Sequence, residues 1–396
     1  MISQKKNFLQ NIAQTSSSPL LLEIKKAKGI YLYTTDGKKY IDLISGVSVS
    51  NVGHGNTKVL NAIRKQIAKY MHTHAYGELV LHPQVKYAWL LNKLLPFSNA
   101  STYFVNSGTE AIEGAMKLVK KYTGRMEIIS FKKAYHGSTQ GALSIQGSEV
   151  FKKPFRPLLP GIQLLTYNNF NDLQKITKKT AGVIVEPIQG EAGIILPEKD
   201  FLKQLRKRCD ETGSLLVFDE IQTGLGRTGK LFAFEYFDVV PDIITLAKAF
   251  GGGMPLGAFI APKKIMDTLN ENPALAHLTT FGGHPVSCIA GFTALKILIE
   301  KQLIPETLQK EKLFRTLLVH PAIKKIRGKG LYLAVELESD KMIKKFFNKA
   351  LKNNILTDWF LFNNKAFRIT PPLTITEEEI RLACKNILKT LNEIKD

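Results

Sequence analysis

Hydrophobic positions follow two different spacings in the middle of the chain. Short, continuous apolar runs of the kind found in buried strands recur at Thr102–Val105, Ile128–Phe131, Gly182–Val185, Leu215–Phe218 and Gly257–Ala261. Between several of these runs, apolar residues are spaced three or four apart, as on one face of a helix. The predicted helices are Thr57–Tyr70, Pro83–Leu95, Thr109–Tyr122 and Lys199–Glu211. Strands that alternate with amphipathic helices indicate an α/β fold with a largely parallel sheet.

Local signals mark where some of these elements begin. Thr57 stands before the apolar series Val59, Ile63 and Ile67, and we predict that its hydroxyl caps the first of these helices. Pro83 is expected in the first turn of the next helix, where its missing N–H costs nothing.

The two ends of the chain have a different texture. Residues 30–44 are predicted to form a hairpin from Tyr31–Thr34 and Lys39–Leu43, with Asp36 and Gly37 in the turn. Beyond about residue 290 the pattern predicts a smaller α+β unit that the hairpin could join. Its predicted elements are helix Val286–Glu300, strand Lys329–Leu337, helix Asp340–Asn353, extended Phe367–Thr370 and a helix from Thr376.

Composition places the chain among ordinary globular proteins, with one unusual number. Of 396 residues, 44% are hydrophobic and 22% are charged, which excludes a mostly disordered chain or a collagen-like one. The formal net charge is +21, which nucleic acid, a membrane surface or acidic substrates could each explain. The lysines are spread along the whole chain, and the densest stretch, residues 301–329, has few aromatic residues to stack on bases. We therefore interpret the charge as a solvated surface and expect no nucleic-acid partner.

Cysteines and apolar runs bear on the cellular compartment. Cys209, Cys288 and Cys384 lie far apart without the spacing of a disulfide scaffold or a metal site, which favours a reducing compartment. No apolar run approaches the roughly 18 residues that span a bilayer. Residues 1–19 lack the continuous apolar core of a secretory signal. We expect a cytoplasmic protein without a membrane partner or a bound metal.

Three segments at predicted strand ends carry candidate chemistry, because ligands of open α/β sheets bind beyond the carboxyl ends of strands. Ser107, Gly108 and Thr109 follow a strand and open a helix, so they are either a plain helix cap or a cup for a phosphate group. Asp219 ends another strand, where a carboxylate either caps a turn or keeps a heterocyclic nitrogen protonated.

Lys248 stands between apolar neighbours and just before three glycines. Burial would lower the pKa of such a lysine and make it a nucleophile toward carbonyl groups, although a flexible surface loop has the same composition. Tyr135 follows a strand and could stack on a planar ligand or fill a buried turn.

Residues 224–230, GLGRTGK, imitate two nucleotide-binding motifs. The phosphate-binding loop of nucleotide hydrolases requires Ser or Thr after the lysine, and Leu231 follows here. The dinucleotide fingerprint places its glycines in the strand-to-helix turn itself, whereas residues 219–223 intervene and an aromatic segment follows. We therefore predict no nucleotide site at this segment.

Taken together and in this order, the segments resemble the class III (subgroup II) pyridoxal-phosphate-dependent aminotransferases, nearest to the acetylornithine/succinylornithine and ornithine aminotransferases. The resemblance runs from about residue 20 to 390. It rests on residues 51–54 (NVGH), 106–111 (NSGTEA), 135–137 (YHG), 186–191 (EPIQGE), 219–224 (DEIQTG), 247–249 (AKA), 279–283 (TTFGG) and 368–373 (RITPPL).

The resemblance implies fold type I of the pyridoxal-phosphate-dependent transferases (aspartate aminotransferase-like), with a large domain built on a mostly parallel seven-stranded sheet and a small α+β domain. We expect residues 1–50 to belong to the small domain, residues 51–295 to form the large cofactor-binding domain, and residues 296–396 to complete the small domain. It also implies a homodimer with its sites at the subunit interface.

The family's roles transfer to residues already singled out. The resemblance implies that Lys248 forms the Schiff base with pyridoxal 5′-phosphate and that Asp219 pairs with the pyridine nitrogen. Tyr135 would stack on the ring, and Thr280 would reach the phosphate of the neighbouring subunit. The cofactor-binding set implied by the resemblance is Ser107, Gly108, Thr109, Tyr135, His136, Glu186, Asp219, Gln222, Lys248 and Thr280.

The implied substrate residues are Arg368, Glu191 and Ser138. Arg368 matches an arginine that takes an α-carboxylate, and Glu191 matches a glutamate that pairs with this arginine when the substrate end is uncharged or amine-bearing. Ser138 departs from the pattern, because acetylornithine and GABA-type enzymes have an arginine there. Val47 stands near a position where ornithine enzymes have a tyrosine. We therefore expect that the amino donor is not acetylornithine, or that another basic residue replaces the arginine.

The implied reaction is ping-pong transfer of an amino group to an oxoacid such as 2-oxoglutarate or pyruvate. The donor is expected to be an ornithine-like or other ω-amino compound. Ser138 keeps an alternative open, namely a pyridoxal enzyme of the same fold that acts as an aminomutase, racemase or decarboxylase.

Overall fold

The predicted strands in the middle of the chain lie side by side in one sheet of seven strands in the computed structural model, which describes residues 3–394. Only Gly257–Pro262 runs antiparallel to its neighbours, so the sheet is mostly parallel, as expected. In spatial order, the strands are Ala100–Val105, Gly257–Pro262, Ile243–Leu246, Leu215–Asp219, Thr180–Val185, Glu127–Phe131 and Ile162–Leu165.

Helices on both faces bury this sheet. Thr180–Val185 and Leu215–Asp219 are buried at every position, which explains why their sequences are continuous apolar runs without alternation. The helix Gly108–Thr123 packs closest, because a Cβ atom at Gly114 would lie 2.2 Å from the Phe259 ring. The parallel strands have their carboxyl ends at one edge of the sheet, and candidate residues follow five of these ends.

Two four-stranded sheets form the remainder of the β structure. Lys39–Asp42 of the predicted hairpin pairs in parallel with Ile355–Leu356, so the beginning and the end of the chain share one sheet. This pairing supports placing the hairpin with the C-terminal unit. The division at residues 50 and 295 stays a prediction, and residues 1–2 and 395–396 of the outer segments lie outside the described residues. The sheets are Ile24–Lys28, Tyr31–Thr34, Lys39–Asp42 and Ile355–Leu356, and Ile323–Lys329, Tyr332–Leu337, Asn363–Ile369 and Trp359–Phe360.

Two local predictions require correction. The first cap is Asn56 and not Thr57, because the Asn56 side chain accepts a hydrogen bond from the Lys58 N–H at 3.1 Å. The predicted strand Lys329–Leu337 is two strands, since Gly330, at φ +62°, turns the chain between them.

In the part of the chain that the structure describes, the seven predicted helices are present within a few residues of their predicted bounds, whereas Leu303–Leu317 and four shorter helices were not predicted. None of the helices in residues 3–394 is long and apolar enough to cross a membrane. They are Gln4–Asn11, Thr57–Ile67, His82–Leu94, Gly108–Thr123, Gln140–Ser144, Glu149–Lys152, Phe201–Thr212, Lys263–Met266, Pro285–Glu300, Leu303–Leu317, Asp340–Ala350 and Glu377–Asn392. Short 3₁₀ turns cover Lys153–Phe155, Asn171–Lys175, Ala233–Tyr236, Lys248–Gly251 and Asp267–Leu269.

The segment Ser45–Ser48 is a single turn of left-handed helix. Its four φ angles lie between +49° and +64°, although only Gly46 tolerates this region without steric cost. Each of the other three residues costs about 1–2 kcal/mol there. The Asp42 carboxylate accepts hydrogen bonds from the N–H groups of Ile44 and Ser45, both at 2.8 Å, and holds the start of the turn. Strain that the fold maintains in this way often marks a functional site.

Candidate active site

A cavity of about 540 Å³ opens at the carboxyl ends of the central strands. It brings together most of the predicted site residues from loops that are far apart in sequence. Glu191 and Arg368 lie behind one wall, and Thr280 lies outside the cavity on an exposed segment. The predicted residues that line the cavity are Ser107, Gly108, Thr109, Tyr135, His136, Ser138, Glu186, Asp219, Gln222 and Lys248.

Asp219 and His136 form a buried pair at the floor of the cavity. Asp219 Oδ2 lies 2.7 Å from His136 Nδ1, and Asp219 Oδ1 accepts the Ile221 N–H at 3.0 Å. Burial lowers the pKa of His136, but the hydrogen bond and charge of Asp219 outweigh it and leave this pKa above its usual value. Within the described chain, His136 Nε2 is buried without a hydrogen-bond partner. The carboxylate is thus fixed in place, with a proton-bearing ring against it.

Glu186 follows the neighbouring strand and is buried beside this pair. Burial raises its pKa to about 7, assisted by the charge of Asp219. The Gly190 N–H, at 2.7 Å, and the Tyr135 N–H, at 3.1 Å, donate to its carboxylate. These bonds favour the charged form and fix the loop that carries Tyr135 into the cavity.

Lys248 lies at the wall of the cavity at the start of a short 3₁₀ turn, with φ +53°. Burial lowers its pKa to about 8, and the charges of Glu191 and Asp219 oppose a larger drop. A substantial fraction of this amine is therefore neutral near neutral pH, as a nucleophile or proton acceptor requires.

The helix Gly108–Thr123 begins at the cavity and offers it an anion site. The Ser107 hydroxyl caps the helix, because it accepts the Glu110 N–H at 3.3 Å. The N–H groups that precede Glu110 in the first turn remain available to bind an anion. Gly137, with φ +133°, packs against this end of the helix. A Cβ atom at Gly137 would lie 2.4 Å from Thr109 Oγ1. The two interpretations of the sequence, cap and cup, are therefore compatible.

Glu191 and Arg368 form a buried ion pair behind the cavity wall. Arg368 Nη2 lies 3.0 Å from both carboxylate oxygens, and the Leu361 N–H donates to Glu191 Oε2 at 3.0 Å. Arg368 also donates to the Trp359 carbonyl at 2.8 Å and lies over the Phe360 ring at 4.7 Å. Burial raises the pKa of Glu191, but the Arg368 charge outweighs it and keeps this pKa below its usual value. Each charge is satisfied by the other.

Ser138 and Thr280 lie near the rim. The Ser138 hydroxyl lies 3.2 Å from the Tyr135 hydroxyl, so this serine is in the place where the sequence predicted it. Thr280 is exposed, but the preceding Thr279 hydroxyl accepts a hydrogen bond from Asn106 Nδ2 at 3.2 Å, next to the phosphate-type cup.

Two further buried residues, Tyr332 and Arg227, were not singled out by the sequence patterns. The Tyr332 hydroxyl donates to Gln222 Oε1 at 3.1 Å, and Gln222 Nε2 donates to Glu191 Oε1 at 3.3 Å, which links the cavity wall to the ion pair. Arg227, in the middle of the GLGRTGK segment, is also buried. No spacing in the sequence marks either residue, because both act through partners that are distant along the chain.

Comparisons with known proteins agree with this geometry. A family model, Aminotransferase class-III, matches residues 12–391. The chain belongs to the class-III aminotransferases. Among solved structures, this aminotransferase is similar to ornithine aminotransferase from Toxoplasma gondii, with 30% identity, TM-score 0.91, and coverage of 99% of this chain and 96% of that one.

Two further structures extend the similarity. A Bacillus anthracis aminotransferase has 26% identity and TM-score 0.92, with coverage of 98% of both chains. An (S)-enantioselective omega-transaminase from Thermomicrobium roseum has 26% identity and TM-score 0.90, with coverage of 99% of this chain and 98% of that one. The predicted family and fold type are therefore confirmed, as is transaminase activity.

The aminotransferase uses pyridoxal phosphate, and its cavity fits this cofactor. The helix start supplies N–H groups for a phosphate at one end, and the fixed Asp219 carboxylate lies ready for a ring nitrogen. Lys248 offers an amine of lowered pKa, and the 540 Å³ volume is within the range of small-molecule sites.

Proposed function

We propose that this aminotransferase moves the terminal amine of an ornithine-like or other ω-amino compound to an oxoacid such as 2-oxoglutarate or pyruvate. The observation that carries the proposal is the Glu191–Arg368 pair. Its one arginine is neutralised at rest, so the adjacent space accepts an uncharged or amine-bearing substrate end. The same arginine serves an oxoacid if the glutamate swings away.

The second half-reaction requires that exchange of partners. Arg368 is held independently by the Trp359 carbonyl and the Phe360 ring, so it stays in position when Glu191 leaves. A substrate carboxylate then accepts from Arg368 Nη2 in place of the two glutamate oxygens, in a charge-assisted hydrogen bond. One pocket thereby serves two substrates of different charge in turn, as a ping-pong sequence demands.

Ser138 supports a donor without a carboxylate at the rim. Among the described residues that line the cavity, Lys248 is the sole lysine or arginine. A serine supplies no positive charge, and its hydroxyl is already beside Tyr135. We therefore expect this chain to use acetylornithine poorly, and ordinary rates with acetylornithine and 2-oxoglutarate would contradict the expectation.

The chain's own residues have distinct roles in the proposed chemistry. Bound pyridoxal phosphate supplies a cationic ring that withdraws electrons from the substrate carbon. Asp219 would hold the proton on the ring nitrogen, and Tyr135 would cover one ring face. Gln222 would lie toward the ring oxygen. Lys248 Nζ, when neutral, would take the proton from the substrate carbon that bears nitrogen and deliver it to the carbon on the opposite side of that nitrogen.

A homodimer is part of the proposal. Thr280 stands in an exposed apolar surface that also includes Val80, 88% exposed, and Phe281, 55% exposed. The Tyr76 N–H donates to the Thr279 carbonyl at 3.1 Å and joins the two halves of this surface. The concentration of exposed large apolar side chains in segments 71–80 and 275–281 supports an interface here. The other exposed members of the surface are Met71, Leu79, Leu275 and Leu278.

Complementation between two variants tests whether Thr280 acts in the partner's site. Lys248→Ala is expected to be inactive and Thr280→Ala to bind the cofactor weakly. Mixed dimers then contain one site with both wild-type residues, so mixing under exchange conditions restores activity at low cofactor. Absence of restoration, with mixed dimers demonstrated by differently tagged chains, would show that Thr280 does not act across the interface.

We also propose that the enzyme acts in amino-acid metabolism in the cytoplasm.

A substrate panel tests the reaction itself. Purified holoenzyme is incubated with ω-amines, ornithine and acetylornithine against pyruvate and 2-oxoglutarate, with Lys248→Ala as the control. The expected result is net appearance of the oxoacid's amino product, together with a visible absorbance band that borohydride abolishes. Loss of carbon dioxide, a rearranged amine or racemised donor without net transfer would instead indicate the decarboxylase, aminomutase or racemase alternative.

A further inference from the structure

Arg227 is a buried cation that the chemistry above does not use. It is 0% exposed, and its contacts within residues 3–394 are to neutral oxygens. Nη1 donates to the carbonyls of Leu331, at 2.9 Å, and Pro371, at 2.6 Å. Nη2 donates to Asn51 Oδ1, at 2.6 Å, and Ser45 Oγ, at 3.3 Å. Burying a cation without a hydrogen-bonded carboxylate costs free energy. These four hydrogen bonds are therefore better explained by a functional role than by a contribution to the stability of the fold.

One of the four acceptors belongs to a segment that reaches the cavity lining, and another precedes a residue that supports the lining. Ser45 begins the left-handed turn, and Val49, directly after that turn, lines the cavity. Leu331 precedes Tyr332, whose hydroxyl donates to the cavity residue Gln222. The guanidinium therefore sets the distance between two parts of the wall that are almost 300 residues apart.

Of the other two acceptors, one follows the ion-pair arginine in the chain and one is held by the loop that carries the guanidinium. Pro371 lies three residues after Arg368, which holds Glu191. Asn51 accepts from the guanidinium and donates through Nδ2 to the Leu225 carbonyl at 2.9 Å, so it is held from both sides. A shift of the guanidinium would therefore displace residues at the substrate end of the cavity and not those at the cofactor end.

The glycines of this segment have a packing role. A Cβ at Gly226, with φ +88°, would lie 2.9 Å from Ile304, and one at Gly229, with φ +93°, would lie 2.6 Å from Leu308. Both partners belong to the helix Leu303–Leu317. The glycines therefore let the loop pass against this helix and bring Arg227 to its acceptors, which accounts for the motif without a nucleotide.

We propose that Arg227 is a positioning residue of the active site, which fixes the substrate wall formed by the Ser45–Ser48 turn, Tyr332 and the strand that carries Arg368. The planar fork of a guanidinium fixes several bond directions at once, and a lysine cannot reproduce them. The inference rests on the aminotransferase activity of the family. It predicts that the wall loosens while the cofactor contacts of Lys248 and Asp219 persist.

The test compares Arg227→Lys and Arg227→Met with Arg125→Met in the holoenzyme. Arg125 is the matched control, because its guanidinium also donates to three backbone carbonyls, those of Thr180, Thr212 and Gly213, but lies remote from the cavity. Thermal midpoints, cofactor content, the visible absorbance band, kcat and KM are measured at a temperature where every variant is folded. A substrate that turns over in the wild-type enzyme is used throughout.

The proposal expects all three variants to lose thermal stability but only the Arg227 variants to bind the amine poorly. KM for the amine should rise about tenfold or more in Arg227→Met and less in Arg227→Lys, with the cofactor band unchanged. An unchanged KM in folded Arg227 variants overturns the proposal and leaves a purely structural role. Lack of wild-type turnover would instead refute the proposed function, which separates the two failures.

A second variant keeps the test decisive if the Arg227 variants do not fold. Ser45→Ala leaves the guanidinium in place and removes the hydroxyl at the start of the turn, which accepts from Arg227 Nη2 at 3.3 Å and donates to the Thr370 carbonyl at 2.6 Å. The proposal expects a smaller KM increase of about threefold, and in an Arg227→Met background that does fold the two effects should not add. A wild-type KM in Ser45→Ala contradicts the proposal.

Discussion

Lys248 is expected to capture pyridoxal phosphate at a pH at which an exposed lysine is almost unreactive. Its pKa is about 8, against an ordinary value of 10.5. At pH 7 about one amine in ten is then neutral, compared with roughly one in 3,000 for the ordinary lysine, a difference of about 300-fold or ~3 kcal/mol. Burial is the main cause, so the effect is a property of the folded cavity.

The assay follows the visible absorbance band after pyridoxal phosphate is added to cofactor-free protein between pH 6 and 10. The rate should rise about tenfold per pH step of one below pH 8 and level off above it. Nα-acetyl-lysine, whose side-chain amine is free, corrects under the same conditions for ionisation of the cofactor itself. Lys248→Ala should give no band. A corrected rate that keeps rising to pH 10 would refute a lowered pKa.

Two further arms check the cause. Glu191→Gln removes the largest charge that raises the pKa of Lys248, so the break in the rate profile should move to lower pH. The unfolded lysine holds its proton up to about pH 10.5, whereas the folded one releases it near pH 8. The unfolded state therefore binds more protons in this window, and this lysine's contribution to the free energy of unfolding of the cofactor-free protein should rise with pH from about 8 to 10.5.

Three other substitutions have defined outcomes. Asp219→Asn removes the charge that holds a proton on the cofactor ring, so kcat/KM should fall about a hundredfold or more, measured at saturating cofactor. Glu191→Ala leaves Arg368 buried without its counter-ion, so the thermal midpoint should fall, corresponding to about 3 kcal/mol, while KM for a dicarboxylic oxoacid decreases. Gly137→Ala pushes a Cβ into Thr109 at a left-handed φ, so cofactor affinity should fall about tenfold, measured by absorbance titration.

Matched controls separate these effects from general damage. Asp210→Asn changes an exposed carboxylate on the surface and should leave kcat/KM unchanged. Glu191→Gln keeps the shape of the glutamate, so it should lower KM for the oxoacid as Glu191→Ala does. Gly124→Ala also lies at a left-handed φ, but a Cβ there meets nothing, so it should not alter cofactor affinity. Equal effects of Asp219→Asn and Asp210→Asn, equal effects of Gly137→Ala and Gly124→Ala, or an unchanged KM in Glu191→Gln would each contradict the corresponding prediction.

The strands and the central chemical groups were predictable because their signals are local. A strand buried on both faces is apolar over most of its length, as in Leu215–Phe218, and this leaves a continuous run in the sequence. Asp219 and Lys248 stand where such runs end, and parallel strands place those ends at one edge. The seven-stranded sheet and its position relative to the site follow from these patterns and the family resemblance.

Contacts across the chain were not predictable from spacing. Asp219 meets His136 from 83 positions away, and Arg368 meets Glu191 from 177 positions away. Periodicity describes which face of an element is buried, not which distant side chain lies opposite. The resemblance suggested the Glu191–Arg368 pairing, but its two-oxygen geometry and its shielding from water come from the fold.

The amino-acid sequence by itself determined the fold type and the family and predicted the residues of the candidate site, since each depends on a local run or an ordered set of motifs. Tertiary structure alone decided the lowered pKa of Lys248 and the left-handed turn at Ser45–Ser48. Desolvation depends on everything that surrounds a group. A turn that no local preference favours, with Val47 inside it, is held at its first residue by the nearby Asp42 and by Arg227 and Thr370, which only folding brings there.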